Sequence, residues 1–290
     1  MTLAESYAYC SSIARKRARN FYYSFLLLDK PKRDAICAMY AFMRYCDDLS
    51  DDASVSDRAA AIGRWRADLD AALAGKYSGH PVWPAFHDAV QRFGIPHKYF
   101  HEMIEGVSSD LEPRRVQTFD ELYRYCYRVA SVVGLTIIHI FGFESAEALD
   151  LAEKCGIAFQ LTNILRDVRE DAGLGRIYLP AEDLNRFGVR PEAFESTTLT
   201  PELRSLFEFE AARAEDYYQA GWALVPLVSP ESRPSLWALI EIYHRLLLRI
   251  RDAGFDVLSR RVSLPAPEKG WIVVRGFLSR PRKLRSLAQP

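Results

Sequence analysis

The segment from Gly156 to Pro180 places the tightest constraint on how this chain can fold. Asn163, Asp167 and Asp171 recur at intervals of four residues, so on an α-helix their side chains share one face. Most other positions up to Val168 are apolar, which predicts a buried helix. Two carboxylates and an amide on a buried helix are costly unless a cation compensates them. Such oxygen ligands suit Mg²⁺, which keeps several waters and shares phosphate oxygens.

A second aspartate-rich segment, residues 39–52, repeats this pattern far away in the sequence. Asp47 and Asp51 are four residues apart, and so are Asp48 and Asp52, so the spacing allows two registers. A single such segment is equally well explained by a solvated acidic face paired with nearby arginines. Two of them favour a shared pocket, which would hold two or three divalent cations and a diphosphate if the helical faces meet.

Composition and charge are those of an ordinary globular protein. The 290 residues are 49% hydrophobic and 26% charged, and their net charge of zero provides no field to attract nucleic acid. Five widely spaced cysteines without a C-x-x-C pair indicate reduced thiols and a cytoplasmic location. The charged residues 15–19 argue against a secretory signal. The longest uncharged run, residues 129–143, is short of the ~20 residues that a bilayer span needs.

Helical periodicity dominates the chain, and strand-type alternation is almost absent. We predict helices over residues 4–19, 34–51, 57–74, 83–93, 96–112, 119–141, 146–171, 201–224 and 233–260. Gly134 costs ~1 kcal/mol inside a helix, so it either lets a ligand approach or is a harmless kink. Residues 172–189 form a loop long enough to cover a site. The expected architecture is all-α, one domain over residues 1–290 with a basic tail from about 275.

The aspartate segments resemble those of the squalene/phytoene synthases, which join two prenyl diphosphates head to head. The matching motifs are Tyr40-x-x-x-Arg44-x-x-Asp47-Asp48-x-x-Asp51, Gln160-x-x-Asn163-x-x-Arg166-Asp167-x-x-x-Asp171, Gly175-Arg176-x-Tyr178-x-Pro180 and Tyr125-Cys126-Tyr127-x-Val129-Ala130-x-x-Val133-Gly134. The similarity runs from about residue 21 to residue 243. It implies an isoprenoid-synthase-type helical bundle with a central active-site cavity, and it selects Asp47 and Asp51 as the first pair.

The resemblance also implies roles for individual residues. The ligands of two or three Mg²⁺ ions, with Mn²⁺ as an alternative cation, would be Asp47, Asp51, Asn163, Asp167 and Asp171. The catalytic residues would be Tyr40, Arg44, Arg166 and Tyr243. The substrate-binding residues would be Arg17, Arg19, Asn20, Phe21, Phe25, Tyr125, Val129, Gln160, Arg176 and Tyr178. This chain has Ala18 and Asn20 where serines are usual, which leaves one diphosphate contact open.

The expected chemistry explains why these residue types occur together. An allylic diphosphate ionises when its leaving group is neutralised, which the cations, Arg44 and Arg166 would achieve. The resulting carbocation needs a dry, aromatic lining, because water is a competing nucleophile. Candidates for that lining are Phe21, Phe25, Tyr40, Tyr125, Tyr127 and Tyr243. In the alternative interpretation the rings are plain core, and the two arginines only pair with Asp48 and Glu170.

Farnesyl diphosphate is the expected substrate, giving presqualene diphosphate and then squalene or dehydrosqualene in isoprenoid, hopanoid or carotenoid biosynthesis. Phe21 and Phe25 share a helical face and would shorten a hydrocarbon tunnel. The alternative is phytoene formation from geranylgeranyl diphosphate. A head-to-tail synthase, a terpene cyclase and a non-catalytic helical assembly protein are further hypotheses. The chain has no GxGxxG motif, although squalene-forming relatives use NADPH without one, so NADPH use stays open, as does the oligomeric state.

The C-terminal tail predicts weak peripheral membrane association. Its cations occur without an acid between them and are Arg275, Arg280, Arg282, Lys283 and Arg285. Apolar residues accompany them, namely Trp271, Ile272, Phe277 and Leu278. Each cation near an anionic lipid surface contributes ~1 kcal/mol to binding. The alternative is a solvated tail.

Overall fold

The computed structural model describes residues 1–18, 21–51, 57–77 and 79–279. Three predicted site positions fall in the gaps. Arg19 and Asn20 lie outside the described residues, and so does the side chain of Asp51. Most of the basic tail, residues 280–290, lies outside them too.

The described part of the chain is almost entirely helical. Its α-helices are α1 (Leu3–Arg17), α2 (Phe21–Phe25), α3 (Lys30–Asp51), α4 (Arg58–Leu73), α5 (Trp83–Phe93), α6 (Lys98–Ser108), α7 (Phe119–Cys126), α8 (Val132–Phe141), α9 (Glu147–Gly173), α10 (Ala181–Phe187), α11 (Pro201–Leu224), α12 (Arg233–Asp252) and α13 (Ala266–Leu278). A π-helix, Tyr127–Ser131, joins α7 to α8, and 3-10 turns occupy Pro191–Glu195 and Val225–Leu227. Two short strands, β1 (Arg114–Arg115) and β2 (Arg176–Ile177), pair in parallel. The predicted all-α architecture is confirmed.

Local signals in the sequence define where several helices begin. Thr2 caps α1 and exchanges hydrogen bonds with Glu5 in a capping box. Thr118 and Thr200 cap α7 and α11, each by accepting a hydrogen bond from the backbone N–H three residues further on. These helix starts therefore depend on local chemistry rather than on packing.

Helix α9 lies at the centre and packs against α7, α8, α11, α12 and the π-helix. It is 27 residues long, or about 40 Å. Its side chains Ile157, Leu161 and Leu165 are almost completely buried. On the side facing α11, Thr162 Oγ1 and the Tyr218 hydroxyl form a buried hydrogen bond of 2.8 Å. A helix enclosed in this way can hold its polar side chains in fixed positions.

The predicted helix over 119–141 is wrong in one respect, because the π-helix interrupts it. The cause is the close approach of α9. A Cβ at Gly156 would lie 2.5 Å from the Ser131 Cα and 2.9 Å from the Ala130 carbonyl oxygen. The Ser131 hydroxyl also donates to the Glu153 carbonyl at 2.7 Å. The two backbones meet where neither presents a large side chain.

Two further segments differ from the sequence prediction. Residues 172–189 were expected to be loop, but they contain β2 and α10. The last helix was expected to reach residue 260, whereas α12 ends at Asp252 and a separate α13 follows. Gly254 at φ +65° and Phe255 at φ +62° reverse the chain there. Left-handed residues of this kind end a helix, and glycine adopts that conformation without strain.

The five cysteines all fall within described segments and are buried and unpaired, as predicted. In the part of the chain that the structure describes, none of the helices combines the length and apolarity that a membrane crossing requires.

Candidate active site

A cavity of about 250 Å³ lies between α2, α3, α8, α9 and α12. Its polarity changes along two of the helices that line it, α3 and α9. On α3 the lining runs from Ile36 to Asp47, and on α9 it runs from Ala152 to Asn163. Each pair is separated by eleven positions, or about 16 Å of helix. The cavity is therefore apolar at one end and polar at the other, which we call the mouth.

A second pocket, of about 230 Å³, adjoins the mouth. It shares Asp47, Val129, Gln160 and Asn163 with the cavity. Further polar groups line only this pocket, namely Asp110, Tyr125, Asp167, Asp171, Arg176 and Tyr178. The two aspartate-rich helices, which are far apart in the sequence, thus face each other across one polar space.

The two candidate registers of the first aspartate segment have different surroundings. Asp47 lines both pockets, whereas Asp48 lines neither. Asp48 pairs with Arg44, as the alternative interpretation expected, and with Arg17 at 3.1 Å. Arg17 is about half exposed and lies outside the lining of both pockets. This geometry favours Asp47 as the ligand and leaves Asp48 the role of an ion-pair partner.

Two arginines compensate the charge of Asp167. Arg166 pairs with it directly, rather than with Glu170 as the alternative interpretation expected. Arg261, from the segment after α12, lies 3.0 Å from the Asp167 carboxylate and 3.0 Å from that of Glu170. Sequence reasoning missed Arg261, because nothing in its spacing links it to a helix almost a hundred residues earlier.

Asp171 lies one helical turn beyond Asp167 in the same pocket. Burial and the Asp167 charge raise the pKa of the Asp171 carboxyl to about 7, although Arg176 opposes the shift. A buried carboxyl whose pKa is raised beside another carboxylate belongs to a site that a bound cation would stabilise.

Two buried polar atoms at the mouth, Asn163 Oδ1 and Arg44 Nε, have no hydrogen-bond partner among the described residues. A buried acceptor and a buried donor without partners are uncommon in folded proteins and point to an external ligand. No three His, Cys, Asp or Glu side chains within the described segments lie close enough to hold a metal by themselves. Mg²⁺ is typically bound by one or two carboxylates together with substrate phosphates, so the donor set fits that ion.

Phe21, Tyr40 and Phe159 line the cavity just inside its mouth, whereas Tyr243 lines neither pocket and packs against two of these rings. The Phe21 ring centroid lies 5.2 Å from that of Tyr243 and 6.5 Å from that of Tyr40. Phe159, which the sequence prediction did not include, stacks on Tyr243 at 4.5 Å. Burial raises the pKa of both Tyr40 and Tyr243 to about 12, so their phenols stay neutral. Tyr127 lies outside both pockets, with its hydroxyl donating to Glu102 at 3.0 Å.

Asp110 holds two of the predicted substrate-binding tyrosines. The Tyr125 hydroxyl donates to Asp110 Oδ2 at 2.9 Å, and the Tyr178 hydroxyl donates to Oδ1 at 2.8 Å. The two rings stack with centroids 4.6 Å apart. Arg176 donates to the Asp110 carbonyl at 2.8 Å. Sequence reasoning did not link Asp110 to these tyrosines, because the two tyrosines come from two other segments.

Asp110→Ala should lower the free energy of unfolding by about 2 kcal/mol. The substitution removes the acceptor of two buried hydroxyls, and a lost partner of that kind costs ~1–3 kcal/mol. Urea unfolding followed by circular dichroism measures the change. Glu112→Ala is the control, since this exposed carboxylate should change stability by less than ~0.5 kcal/mol. Equal effects of the two substitutions would contradict the proposed role of Asp110.

Comparisons with known proteins agree with this geometry. The family model described as squalene/phytoene synthase matches residues 14–268. The chain is 37% identical to the phytoene synthase of Mycobacterium tuberculosis, over 96% of this chain and 92% of that protein. It is 34% identical to the 15-cis-phytoene synthase of Synechococcus elongatus, over 92% and 91%.

Solved structures are similar over most of the chain as well. A dehydrosqualene synthase in complex with a ligand superposes with a TM-score of 0.88 at 32% identity, over 94% of this chain and 96% of that one. The squalene synthase HpnC from Alicyclobacillus acidocaldarius superposes with a TM-score of 0.81 at 28% identity, over 87% and 95%.

Proposed function

The chain belongs to the squalene/phytoene synthase family of prenyltransferases, and we propose that it joins two farnesyl diphosphates head to head. The proposed products are presqualene diphosphate and then squalene or dehydrosqualene. Family membership itself makes prenyl diphosphates the substrate class. Family membership also argues against the hypotheses of a head-to-tail synthase, a terpene cyclase and a non-catalytic assembly protein.

The observation that carries the proposal is the cavity with an apolar body and a polar mouth, at which the two aspartate-rich helices meet. Asp47 from α3 faces Asn163, Asp167 and Asp171 from α9 across that mouth. We assign Mg²⁺ binding to these four residues and to Asp51. When bound, Mg²⁺ neutralises the developing charge of a leaving diphosphate.

Positively charged side chains at the mouth are suited to bind the diphosphate oxygens. Arg44 presents a buried Nε without a partner among the described residues, and we assign to it a hydrogen bond to the diphosphate. Gln160 and Arg176 line the same space and are assigned to substrate binding. Arg166 now pairs with Asp167, so its predicted contact with substrate requires exchange of that partner. The predicted contact of Arg17 requires it to leave Asp48.

Beyond the mouth, the chain's residues would protect a carbocation rather than neutralise an anion. Tyr40, Phe21 and Phe159 line the entrance of the apolar body with neutral aromatic rings, and Tyr243 packs behind Phe21 and Phe159. A desolvated cation over such a face gains ~2 kcal/mol. The apolar lining also excludes water, which would otherwise capture the intermediate.

The position of Phe25 at the apolar end of the cavity supports farnesyl diphosphate, the shorter of the two candidate substrates. The Ser235 hydroxyl donates to the Ser24 carbonyl at 2.9 Å, which ties the end of α2 to the beginning of α12. Phe21 lies one turn nearer the mouth and contacts Tyr243, two turns further along α12. Phe25, with 2% of its surface exposed, therefore lies deeper in the cavity that it lines.

The length of the cavity agrees with a substrate of fifteen carbons. Its lining extends about 16 Å along α3 and α9, a length that includes Asp47 and Asn163 at the mouth. An isoprene unit is comparable in length to one helical turn of about 5.4 Å, so three units span about 16 Å and four about 22 Å. A farnesyl chain fits that distance, whereas a geranylgeranyl chain would extend beyond it.

Phytoene formation from geranylgeranyl diphosphate is the second candidate. The observation that favours it is the name of the curated relatives described above, which are phytoene synthases. Both candidate functions require the same chemistry at the mouth. They differ in the length of the hydrocarbon chain that the apolar body of the cavity must hold. Product analysis therefore separates them.

Incubation of the purified protein with Mg²⁺ and either diphosphate, with and without NADPH, tests the proposal. We expect farnesyl diphosphate to give presqualene diphosphate, and squalene or dehydrosqualene after the second half-reaction. Mass spectrometry identifies the products, and the arm with NADPH shows whether the second step is reductive. Exclusive formation of phytoene would overturn the proposed substrate, and no product from either diphosphate would overturn the proposed function.

Phe25→Ala should shift the chain-length preference towards geranylgeranyl diphosphate by about tenfold or more. Removal of the ring lengthens the apolar end of the cavity, and filling that space with hydrocarbon is worth ~1.5–3 kcal/mol. Competition between the two diphosphates in one assay measures the ratio of kcat/KM values. Phe194→Ala is the matched control, because Phe194 is equally buried but packs on Phe207 away from the cavity. An unchanged ratio in Phe25→Ala would remove the physical basis of the chain-length argument.

A further inference from the structure

Helix α13 carries apolar side chains on the side that faces away from the protein. Trp271, Val274 and Leu278 are 58%, 47% and 76% exposed, and their spacing of three and four residues places them on one helical face. Ile272 and Gly276 lie on the opposite face and are buried. The helix is therefore apolar on both sides, which is unusual for a helix at a protein surface.

The inner contacts hold this helix firmly. A Cβ at Gly276 would lie 2.7 Å from Leu27 Cδ1, so α13 packs closely on the segment after α2. At its beginning, Glu268 accepts hydrogen bonds from Arg245 at 3.0 Å and from Arg249 at 2.8 Å. The outward face, defined by Trp271, Val274, Arg275 and Leu278, is thus presented in a fixed orientation. We call it the α13 face.

Positive charge is concentrated in the same part of the chain. From residue 269 to residue 290 the sequence contains six Lys and Arg residues and no acid, in a protein whose net charge is zero. Arg275 belongs to the α13 face, with its guanidinium 5.2 Å from the ring centroid of Trp237. Four of the six cations follow the end of the helix, within residues 280–290. An anionic partner is therefore the complementary one.

The α13 face adjoins a surface groove of about 720 Å³, which Trp237, Arg275 and Leu278 help to line. The groove and the hydrocarbon cavity share a wall. Leu224 and Leu236 line the cavity, whereas the next residue in each case, Val225 or Trp237, lines the groove. The apolar end of the cavity and this surface are therefore lined by neighbouring residues of the same two segments.

We propose that the α13 face docks the protein onto a bilayer that contains anionic phospholipid. Trp271, Val274 and Leu278 would enter the boundary between headgroups and acyl chains, while the cations bind the headgroups. The 13 residues of α13 extend about 20 Å, so the helix lies in the membrane plane. This orientation directs the apolar end of the cavity at the bilayer, where a hydrocarbon product leaves; that last point rests on the proposed function.

Two other occupants of the α13 face fit less well. A second copy of the chain in a two-fold dimer would bring two sets of these cations together, and like charges oppose such an interface. Residues 280–290 contain no acid that would complement Arg275. A bilayer with anionic headgroups satisfies both the apolar and the basic side chains.

Sedimentation of the full-length protein with phosphatidylcholine vesicles, with and without phosphatidylglycerol, tests the proposal. We expect the bound fraction to rise with the phosphatidylglycerol content and to fall in high salt. Trp271→Gln combined with Leu278→Gln should weaken binding by about tenfold or more, since burial of one such side chain changes a partition coefficient by that factor. Leu174→Gln is the matched control, because Leu174 is 59% exposed on another surface and should leave binding unchanged.

Tryptophan fluorescence provides a second measurement. Trp65 and Trp83 are buried, Trp222 and Trp237 are half-buried and Trp271 is exposed, so bromine atoms on the acyl chains should quench Trp271 the most upon binding. Trp271→Phe should keep most of the binding and lose most of that quenching. Because Trp237 lies in the groove beside the α13 face, Trp271→Phe/Trp237→Phe is measured as well. Quenching that persists undiminished in this double variant would show that another surface meets the lipid and would overturn the proposal.

Three further results would also overturn it. The first is equal vesicle binding by the wild type and the Trp271→Gln/Leu278→Gln variant. The second is a dimer, seen by light scattering, that this variant dissociates. The third is unchanged binding at low salt after removal of residues 280–290, because four of the six cations would then contribute nothing. None of these measurements depends on turnover, so an inactive protein that binds vesicles contradicts only the proposed function.

Discussion

Asp167→Asn should lower turnover by about 10²–10⁴-fold while the helical circular dichroism stays unchanged. The substitution keeps the size of the side chain but removes a negative charge from the pocket in which Asp47, Asn163 and Asp171 converge. Loss of a cation's ligand withdraws several kcal/mol of leaving-group stabilisation, and each ~1.4 kcal/mol changes the rate tenfold. We expect a similar loss for Asp47→Asn, which removes the ligand on the facing helix, and for the same change at Asp51 and Asp171.

Asp48→Asn is the matched control for the first aspartate segment. Asp48 is the neighbour of Asp47, but it points to Arg17 and Arg44 instead of lining a pocket. Its substitution should therefore cost much less turnover than Asp47→Asn. EDTA should abolish turnover, and added Mg²⁺ should restore it. Near-normal turnover in EDTA would contradict the metal assignment, and a larger effect at Asp48 than at Asp47 would show that the register is wrong.

Gly156→Ala should destabilise the protein by about 3 kcal/mol or more. The added methyl group would meet backbone atoms of the π-helix, at 2.5 Å from the Ser131 Cα and 2.8 Å from its nitrogen. Backbone atoms cannot rotate away as a side chain can, so α9 and the π-helix must separate. Both elements line the cavity, since Gly156, Val129 and Ala130 all belong to its wall. Urea unfolding measures the loss of stability.

Gly63→Ala is the control for that effect. Gly63 lies inside α4, and a Cβ there would meet no other atom within 4 Å. Alanine is favoured over glycine in a helix interior by ~1 kcal/mol, so this variant should be as stable as the wild type or slightly more stable. If Gly156→Ala unfolds at the same urea concentration as Gly63→Ala, the close contact between α9 and the π-helix is not a determinant of stability.

Local sequence patterns predicted most of the helical architecture. The four-residue spacing of Asn163, Asp167 and Asp171 places their side chains on one helical face wherever that helix packs, because the geometry repeats every turn. Apolar periodicity and capping residues likewise act within a few positions of each other. The motifs around Asp47 and Asp167 were sufficient to identify the family, and the comparisons confirm that identification.

Most of the departures from prediction involve contacts between distant segments. The predicted helix 119–141 is interrupted at the place where the backbone at Ser131 lies against Gly156, which belongs to another helix. The end of α12 and the position of α13 depend on a left-handed turn at Gly254 and on packing against Leu27. A window of a few residues contains no information about distant neighbours, and pattern reasoning extended one helix too far and missed two others, α10 and α13.

The sequence by itself thus determined the fold class, the family and which polar side chains share a helical face, because each depends on short-range spacing. Only the tertiary structure decided how those side chains are paired. In that structure Asp48 forms an ion pair with Arg17, and Asp167 forms one with Arg261. The Tyr125 and Tyr178 hydroxyls donate hydrogen bonds to Asp110. The partners of each pair are far apart in the sequence, and the packing of the helices brings them together. A pattern can show that a carboxylate is buried and needs a partner, but the partner is chosen by how the helices pack.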